Sequence, residues 1–223
     1  MIDKRIPTLE EAVAGIEDGS TILAAGFGAA GVPTQLIHAL LDQGARDLTV
    51  VSNNAGSGRD GLAALIAAGR VKRIVCSYPR TSGSVVFEEF YARGEIELEL
   101  VPQGTMSERM RCAAAGLGGF YSPVSVGTKL AEGKEVREID GRIYVLEMPL
   151  QGDVALIHAA KADRWGNLTY TLSSRNFAPD MAMAARLTIV QTEEMVELGD
   201  LDPDHIVTPG IFVDRLVHVG KNA

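Results

Sequence analysis

The feature that most constrains the fold is a repeated alternation of short apolar runs with segments of helical apolar spacing. Residues 48–52 form a short run, mostly apolar, that is typical of a buried strand, and residues 62–68 have the spacing of a helix. The same pairing recurs along the first half of the chain. Strands that alternate with helices predict an open, mostly parallel α/β sheet with helices on both faces.

The predicted element boundaries follow from apolar periodicity and turn residues. Strands are expected at 21–25, 48–52, 73–77, 96–101, 154–160 and 187–191, and helices at 9–17, 34–43, 62–68 and 85–93. Capping-box patterns begin at Thr8 and at Thr105, so a further helix is expected after Thr105. Residues 135–145 predict a β-hairpin insertion in the C-terminal half, with Asp140-Gly141 as its turn. No segment resembles a linker, so residues 1–223 are expected to form a single domain.

Composition and charge exclude several classes of protein. A net charge of −8 and a pI near 5.0 argue against nucleic acid as a partner. No apolar run approaches the roughly 18 residues of a membrane span, and the N-terminus has no signal-peptide pattern. The two cysteines, Cys76 and Cys112, are typical of buried free thiols in a reducing compartment, so a cytoplasmic location is expected. The four histidines are scattered, which predicts no metal site.

A glycine-rich segment follows the first predicted strand; we call residues 26–33 the glycine loop. In an open α/β sheet, ligands bind at the carboxyl ends of strands, and the helix start that follows such a loop favours an anion. Gly26, Gly28 and Gly31 satisfy the spacing of a dinucleotide fingerprint. The next strand ends in Asn53 and Asn54 instead of the acidic residue that binds a ribose, which leaves NAD as a less favoured alternative.

Carboxamides follow two of the predicted strands, with Asn53 and Asn54 after one and Gln103 after another. Such amides either satisfy local turns or donate hydrogen bonds to the developing oxyanion of an acyl group. The chain has no Gly-x-Ser-x-Gly elbow and no pair of residues spaced as a nucleophile and its base. The pattern therefore indicates a site that polarises a carbonyl without supplying a nucleophile.

Several segments carry a resemblance to a known family. Residues 18–33, 51–56, 99–105, 166–170 and 208–211 resemble the A-type subunit of the class I 3-oxoacid CoA-transferases. Ala25 departs from that pattern, since the family has glycine there, and alanine tolerates the turn only with a negative φ. Residues 76–80, 162–167 and 175–177 are similar to the branch of the family that acts on 3-oxoadipate. Acetoacetate- and acetate-type relatives share most of the framework and remain the alternative.

The resemblance implies a CoA-transferase-like fold and a ping-pong reaction. In the B-type subunit of the family, a glutamate attacks succinyl-CoA, the CoA thiolate then forms an enzyme thioester, and a 3-oxo acid takes the CoA. This chain has no Glu-Asn-Gly motif, so the nucleophile is expected on the B-type subunit, in a heterotetramer. CoA is a substrate here, and no permanently bound cofactor is expected. By resemblance, the CoA-binding residues are Gly26, Phe27, Gly28, Ala29, Ala30 and Gly31, and the residues that line the site and stabilise oxyanions are Asn53, Asn54 and Gln103.

Two other hypotheses are kept beside this one. A ligand-sensing domain of the same fold would carry an attached DNA-binding helical module, and no basic helix-turn-helix segment occurs in the sequence. A sugar-phosphate isomerase of related architecture would need an acid/base carboxylate near the glycine loop.

Overall fold

The computed structural model of the chain describes residues 2–81 and 83–221, which contain α-helices, short 3-10 turns and two β-sheets. The helices are α1 (Leu9–Val13), α2 (Thr34–Gln43), α3 (Leu62–Ala67), α4 (Val86–Ala92), α5 (Gln103–Ala114) and α6 (Ala178–Ala184). The strands are β1 (Thr21–Ala24), β2 (Leu48–Ser52), β3 (Val71–Cys76), β4 (Glu97–Leu100), β5 (Phe120–Ser122), β6 (Val136–Ile139), β7 (Arg142–Glu147), β8 (Gly152–Asp163), β9 (Leu168–Thr169), β10 (Ala185–Val196) and β11 (Arg215–His218). In this part of the chain, none of the helices is both long and apolar enough to cross a bilayer.

The main sheet has the strand order β11-β10-β8-β1-β2-β3-β4, and all of these neighbours are parallel. A short antiparallel strand, β9, pairs with β8 at its end. The chain first winds outward from β1 through β2, β3 and β4, and then adds β8, β10 and β11 on the other side of β1. The winding direction therefore changes at β1, and the carboxyl end of β1 opens onto the crevice where such folds bind ligands.

Helices cover both faces of the main sheet, as the strand and helix alternation predicts. Successive residues of β1 alternate between two apolar cores, with Ile22 in one and Leu23 in the other. The first core receives the buried sides of α1 to α4, and the second receives Met106 and Met110 of α5 and Met181 of α6. The main sheet is thus buried on both faces, which is why its strands are nearly continuous apolar runs.

The second sheet contains three antiparallel strands in the order β5-β7-β6. The predicted hairpin is confirmed, since β6 and β7 are joined through Asp140 and Gly141 at φ values of +50° and +77°. Aspartate-glycine turns favour these left-handed values, which match the twist of a hairpin. The sequence did not reveal β5, a three-residue strand that extends the hairpin into a small sheet.

The first helix is shorter than expected. Its N-cap is confirmed, since the Thr8 hydroxyl accepts a hydrogen bond from the Glu11 N–H at 3.1 Å. The helix ends at Val13, however, and does not continue to residue 17. The chain leaves the helix there because Gly15 adopts a left-handed φ of +83°.

The helix after β4 begins earlier than expected. α5 begins at Gln103, so Gln103 is the first helical residue and does not lie in a loop. The Met106 N–H donates to the Pro102 carbonyl at 2.8 Å, and this bond closes a first turn that already includes Thr105. The expectation that Thr105 caps this helix is therefore wrong, and its buried side chain lies inside the first turn.

Candidate functional site

The glycine loop leaves β1 at the change of winding direction and folds into a tight hairpin. Phe27 and Ala30 exchange two backbone hydrogen bonds of 3.0 Å, which places Gly28 and Ala29 at the tip. Within residues 2–81 and 83–221, no acceptor meets the N–H groups of Gly28 and Ala29. The tip therefore presents two backbone donors to solvent, and such donors bind anionic or carbonyl oxygens.

Two glycines of the loop are required by close approach as well as by φ. A Cβ at Gly31 would lie 2.2 Å from the Ser174 carbonyl oxygen, and a Cβ at Gly26 would lie 2.8 Å from Cγ2 of Val32. Both glycines also have left-handed φ values, +66° and +139° respectively. The glycine pattern is therefore explained by how this loop packs on its neighbours, whatever ligand it binds.

Ala25 fits its position without strain. Its φ is negative, its side chain is buried, and its N–H donates to the Leu156 carbonyl at 3.0 Å. The residue thus extends the pairing of β1 with β8 by one hydrogen bond. The alanine is tolerated because the left-handed turn begins one residue later, at Gly26.

Asn176, which the sequence analysis did not select as a site residue, holds the glycine loop in place. Its Oδ1 accepts from the Gly26 N–H at 3.1 Å, and its Nδ2 donates to the carbonyls of Ser174 and Ala30 at 2.7 and 3.4 Å. Asn176 itself has a left-handed φ of +32°, which asparagine adopts more readily than most residues. Asn176 and Gly26 are 150 residues apart in the sequence, so no local sequence pattern could predict this contact.

A cleft of about 220 Å³ opens between the glycine loop, the start of α2 and the segment after β2. Gly26, Gly28 and Ala29 line it on one side, and Val32, Thr34 and Asn54 line other sides. Of the other predicted CoA-binding residues, Phe27 points into a neighbouring depression, Ala30 is partly buried against Asn176, and Gly31 packs against Ser174.

The two adjacent asparagines have different environments. The Asn54 Oδ1 accepts from the Gly56 N–H at 2.9 Å, so its NH₂ group is the part that remains for a ligand in the cleft. The Asn53 Oδ1 accepts from the Ser77 hydroxyl at 2.8 Å, and its carbonyl accepts from the Ser77 N–H. Asn53 thus ties the segment after β2 to the segment after β3, while Asn54 faces the cleft.

Gln103 lies in the neighbouring depression, which it shares with Phe27, Ser107, Asn176 and Phe177. The Phe27 side chain is 45% exposed, so an apolar ring faces solvent beside the amide. Across the structurally described chain, the first three N–H groups of α5 meet no acceptor. This helix start and the Gln103 amide therefore form a second group of donors on the other side of the loop tip.

The start of α2 is less available to an anion than its position after the glycine loop predicts. The Thr34 N–H donates to the Val32 carbonyl at 2.9 Å. The Leu36 N–H donates to the side-chain oxygen of Gln191 at 3.1 Å. Two donors of the first turn are therefore already used by the protein.

Charged groups are sparse around the cleft. Among the described residues that line it, Asp60 alone is charged, and its carboxylate lies 2.6 Å from Nε2 of His38 at the cleft mouth. The Asp60 side chain is largely exposed, unlike the buried carboxylate that a proton-abstracting base requires. In the same part of the chain there is no group of three or more His, Cys, Asp or Glu side chains arranged to hold a metal ion. Apart from Asp60, the cleft is therefore lined by neutral residues.

Comparisons with known proteins identify the family of the chain. The coenzyme A transferase family matches residues 6–219. The chain is 61% identical to the A-type subunit of 3-oxoadipate CoA-transferase of Pseudomonas putida, over all of this chain and 96% of that protein. It is 50% identical to the A-type subunit of the probable succinyl-CoA:3-ketoacid coenzyme A transferase of Bacillus subtilis, over 96% of this chain and 89% of that protein. The names of both relatives designate one subunit of an enzyme, which implies a second subunit for each.

A solved structure extends the likeness to the fold. An acyl-CoA transferase of Escherichia coli O157:H7, solved as a thioester complex with CoA, superposes with a TM-score of 0.85 and 25% identity. The match covers all of this chain and 50% of that longer chain, so the present chain spans half of the transferase. From its sequence, its sheet and its donor-lined cleft, this chain is a member of the coenzyme A transferase family.

Proposed function

We propose that this chain is the A-type subunit of a two-subunit CoA-transferase that moves CoA from succinyl-CoA to 3-oxoadipate. The choice of 3-oxoadipate as the acceptor rests on the full-length 61% identity to a 3-oxoadipate CoA-transferase subunit, compared with 50% identity to the 3-ketoacid relative. A 3-ketoacid or acetate acceptor is the alternative. The buried free thiols Cys76 and Cys112 support a cytoplasmic location.

The proposed reaction is a ping-pong exchange of CoA between two acids. In the B-type subunit, a glutamate carboxylate attacks the thioester carbonyl of succinyl-CoA and releases the CoA thiolate. The thiolate attacks the resulting anhydride, which leaves a glutamyl-CoA thioester and free succinate. 3-Oxoadipate then repeats both steps in reverse and leaves as its CoA thioester, so that the glutamate carboxylate is regenerated.

Each attack on a carbonyl passes through an oxyanion, and this chain would supply donors for it. The NH₂ group of Asn54, the amide of Gln103 and the two N–H groups at the loop tip are neutral, so they do not compete with the carboxylate for protons. Asn53 would act through Ser77 by holding the segment after β2 in place. We propose that the glycine loop contacts CoA itself, mainly through Gly26, Gly28 and Ala29 in the cleft and Phe27 beside it.

Two exposed apolar side chains support the docking of a B-type subunit. Leu172 and Ile211 are 90% and 83% exposed. Their segments are tied together, because Tyr170 and Thr208 hydroxyls lie 2.7 Å apart. Leu172 also has a φ of +49°, which is an uncommon value for a bulky side chain. It is the first residue of the short 3-10 turn that precedes Asn176. A partner that covers these residues would close the donor side of the site, in a heterotetramer of two A-type and two B-type subunits.

The first experiment assays this chain alone and together with its B-type subunit. We expect no turnover of succinyl-CoA by the chain alone, and turnover by the pair with a higher kcat/KM for 3-oxoadipate than for acetoacetate. Turnover by the single chain contradicts the assignment of the nucleophile to the B-type subunit. A preference for acetoacetate leaves the transferase assignment in place and rejects 3-oxoadipate as the acceptor.

The second experiment separates the donor roles with isosteric variants. Asn54→Asp keeps the oxygen that accepts from Gly56 but removes the NH₂ donor, so we expect kcat to fall about 100-fold. Gln103→Glu is expected to lower kcat similarly. The matched control is Asn53→Asp, which keeps the oxygen that accepts from Ser77 and is expected to change kcat by less than about threefold. Equal losses in Asn53→Asp and Asn54→Asp would reject the distinction between them.

A further inference from the structure

Gln191 of β10 is a fully buried side chain that joins β10 and β8 to the start of α2. Its Oε1 accepts from the Leu36 N–H at 3.1 Å. Its Nε2 lies 3.2 Å from Nδ1 of His158 on β8 and also donates to Oε1 of Gln35. Three different residues thus contact this carboxamide, one at its oxygen and two at its nitrogen.

The chemistry of the partners determines the orientation of the amide. A backbone N–H can only donate, so the oxygen of Gln191 must face Leu36. The NH₂ group then faces His158, and Nδ1 of His158 must accept. The proton of the imidazole is therefore on Nε2, which lies 3.0 Å from Oε1 of Glu193. The arrangement requires a neutral His158 in the Nε2–H tautomer.

Leu36 belongs to the first turn of α2, whose Thr34 lines the cleft. An unsatisfied N–H at this buried helix start would be costly, and the glycine loop leads directly into the same turn. We propose that Gln191 is a positioning residue for the CoA cleft: it fixes the start of α2 by accepting from Leu36 and holds His158 as a neutral Nε2–H imidazole. This inference rests on the proposed function for its effect on CoA, while the tautomer of His158 follows from the contacts alone.

A glutamate at this position has nearly the same shape but no N–H. In Gln191→Glu, Leu36 keeps an acceptor, but Nδ1 of His158 would face a carboxylate oxygen and would have to donate. Because Nε2 already faces Glu193, the ring would then carry both protons, between two carboxylates. A methionine removes the acceptor for Leu36 and also removes the donor for His158.

The experiment uses the assembled two-subunit protein with ¹⁵N-labelled histidine in this chain, at about pH 8, where a free imidazole is neutral. We expect the wild type to show an unprotonated Nδ1 and a protonated Nε2 at His158, and Gln191→Glu to show both nitrogens protonated. We expect Gln191→Met to raise the KM for succinyl-CoA about tenfold, because the Leu36 N–H at the start of α2 loses its acceptor, with kcat changed by less than about threefold. Gln191→Glu is expected to raise the KM less than Gln191→Met does, because its oxygen still accepts from Leu36.

The matched control is Thr188→Val on the same strand, which removes a buried hydrogen bond from the Thr188 hydroxyl to the Ala182 carbonyl. We expect it to lower the melting temperature without raising the KM. A protonated Nδ1 in the wild type, or an unchanged KM in Gln191→Met, overturns the inference. If the assembled protein does not use succinyl-CoA at all, the proposed function fails, whereas the nitrogen signals of His158 still decide the role of Gln191.

Discussion

The main sheet and the three-stranded sheet of this chain are stabilised in different ways. β1, β2 and β3 are buried between two apolar cores. β6, in contrast, is exposed along its whole length, and the small sheet includes a buried carboxylate, Glu147, which accepts from Lys134 Nζ at 2.8 and 2.9 Å. The main sheet is therefore stabilised mainly by apolar burial, while the small sheet has more charged contacts, among which the Lys134–Glu147 pair includes a buried carboxylate.

The largest loss of activity is expected from Gly31→Ala, in the loop at the carboxyl edge of the main sheet. Its Cβ would lie 2.2 Å from the Ser174 carbonyl oxygen, so the loop or the turn of residues 172–176 must move. We expect kcat/KM of the assembled enzyme to fall at least about 100-fold, since small displacements of a site have effects of this size. Steady-state kinetics and thermal unfolding of the same preparations measure the change.

Gly28→Ala is the matched control in the same loop. Gly28 has a similar φ of +59°, but a Cβ there would meet open space. In the chain without ligand, only the backbone strain of about 1–2 kcal/mol remains, so we expect a smaller fall in the melting temperature than for Gly31→Ala. Equal falls in the melting temperature of the two variants would show that φ alone, and not contact with Ser174, makes these glycines necessary.

The small sheet should be most sensitive to Lys134→Met. This change leaves the carboxylate of Glu147, which is 1% exposed, without its cation, and such unpaired buried charges cost about 3–5 kcal/mol. We expect hydrogen exchange to speed up in β5, β6 and β7 while the amides of β1 and β2 stay protected. The double variant Lys134→Met/Glu147→Leu should recover most of the protection, and failure to recover would mean that the pair is not the source of the loss.

An ion-pair cluster at the edge of the main sheet should contribute less than the buried pair. Burial by itself would raise the pKa of Glu99 on β4, but hydrogen bonds and charges of Arg109 and Arg73 outweigh it, so the pKa is lowered. A lowered folded-state pKa stabilises the protein above the unfolded-state pKa, and the stabilisation is lost as the pH falls through the folded-state value. Because Glu99 is 31% exposed, we expect a contribution of about 1 kcal/mol.

Glu99→Gln tests this contribution. Urea unfolding between neutral and acidic pH should show a shallower decrease in the free energy of unfolding for the variant than for the wild type. The difference between the two proteins should be largest at neutral pH and smallest at the acidic end. Parallel curves would show that the arginines do not stabilise the ionised form.

The smallest effect is expected for the labelling of Cys76, which lies at the end of β3. Its labelling shows whether the main sheet opens when the small sheet is destabilised. Burial at the end of β3 raises the pKa of its thiol to about 12, so almost no thiolate is present at neutral pH. We expect no alkylation by iodoacetamide in the native protein and full alkylation after unfolding. The same protection is expected in Lys134→Met, and rapid labelling of Cys76 there would show that the two sheets do not unfold separately.

Local features of the chain were predictable because they depend on neighbours in sequence. Apolar periodicity predicts the parallel sheet with helices on both faces, and Asp140-Gly141 predicts the turn of the hairpin. The glycine spacing indicates the loop at the end of β1, and the absence of a nucleophile pattern indicates a site made of donors. The resemblance to a family then supplied the role of the loop, which periodicity alone does not contain.

Only the tertiary structure decided how distant segments meet at the site. The contacts of Asn176 with Gly26 and of Gln191 with Leu36 join residues that lie 150 and 155 positions apart. Asn53 and Asn54 are adjacent and chemically identical, yet Ser77 engages one and the cleft receives the other. Sequence alone predicted most strands and helices of the main sheet and the residue types at the strand ends, because turn chemistry and periodicity are local, but it did not reveal the short strand β5. Which of those residues face a ligand depends on strand order and register, which are set by burial of the whole sheet.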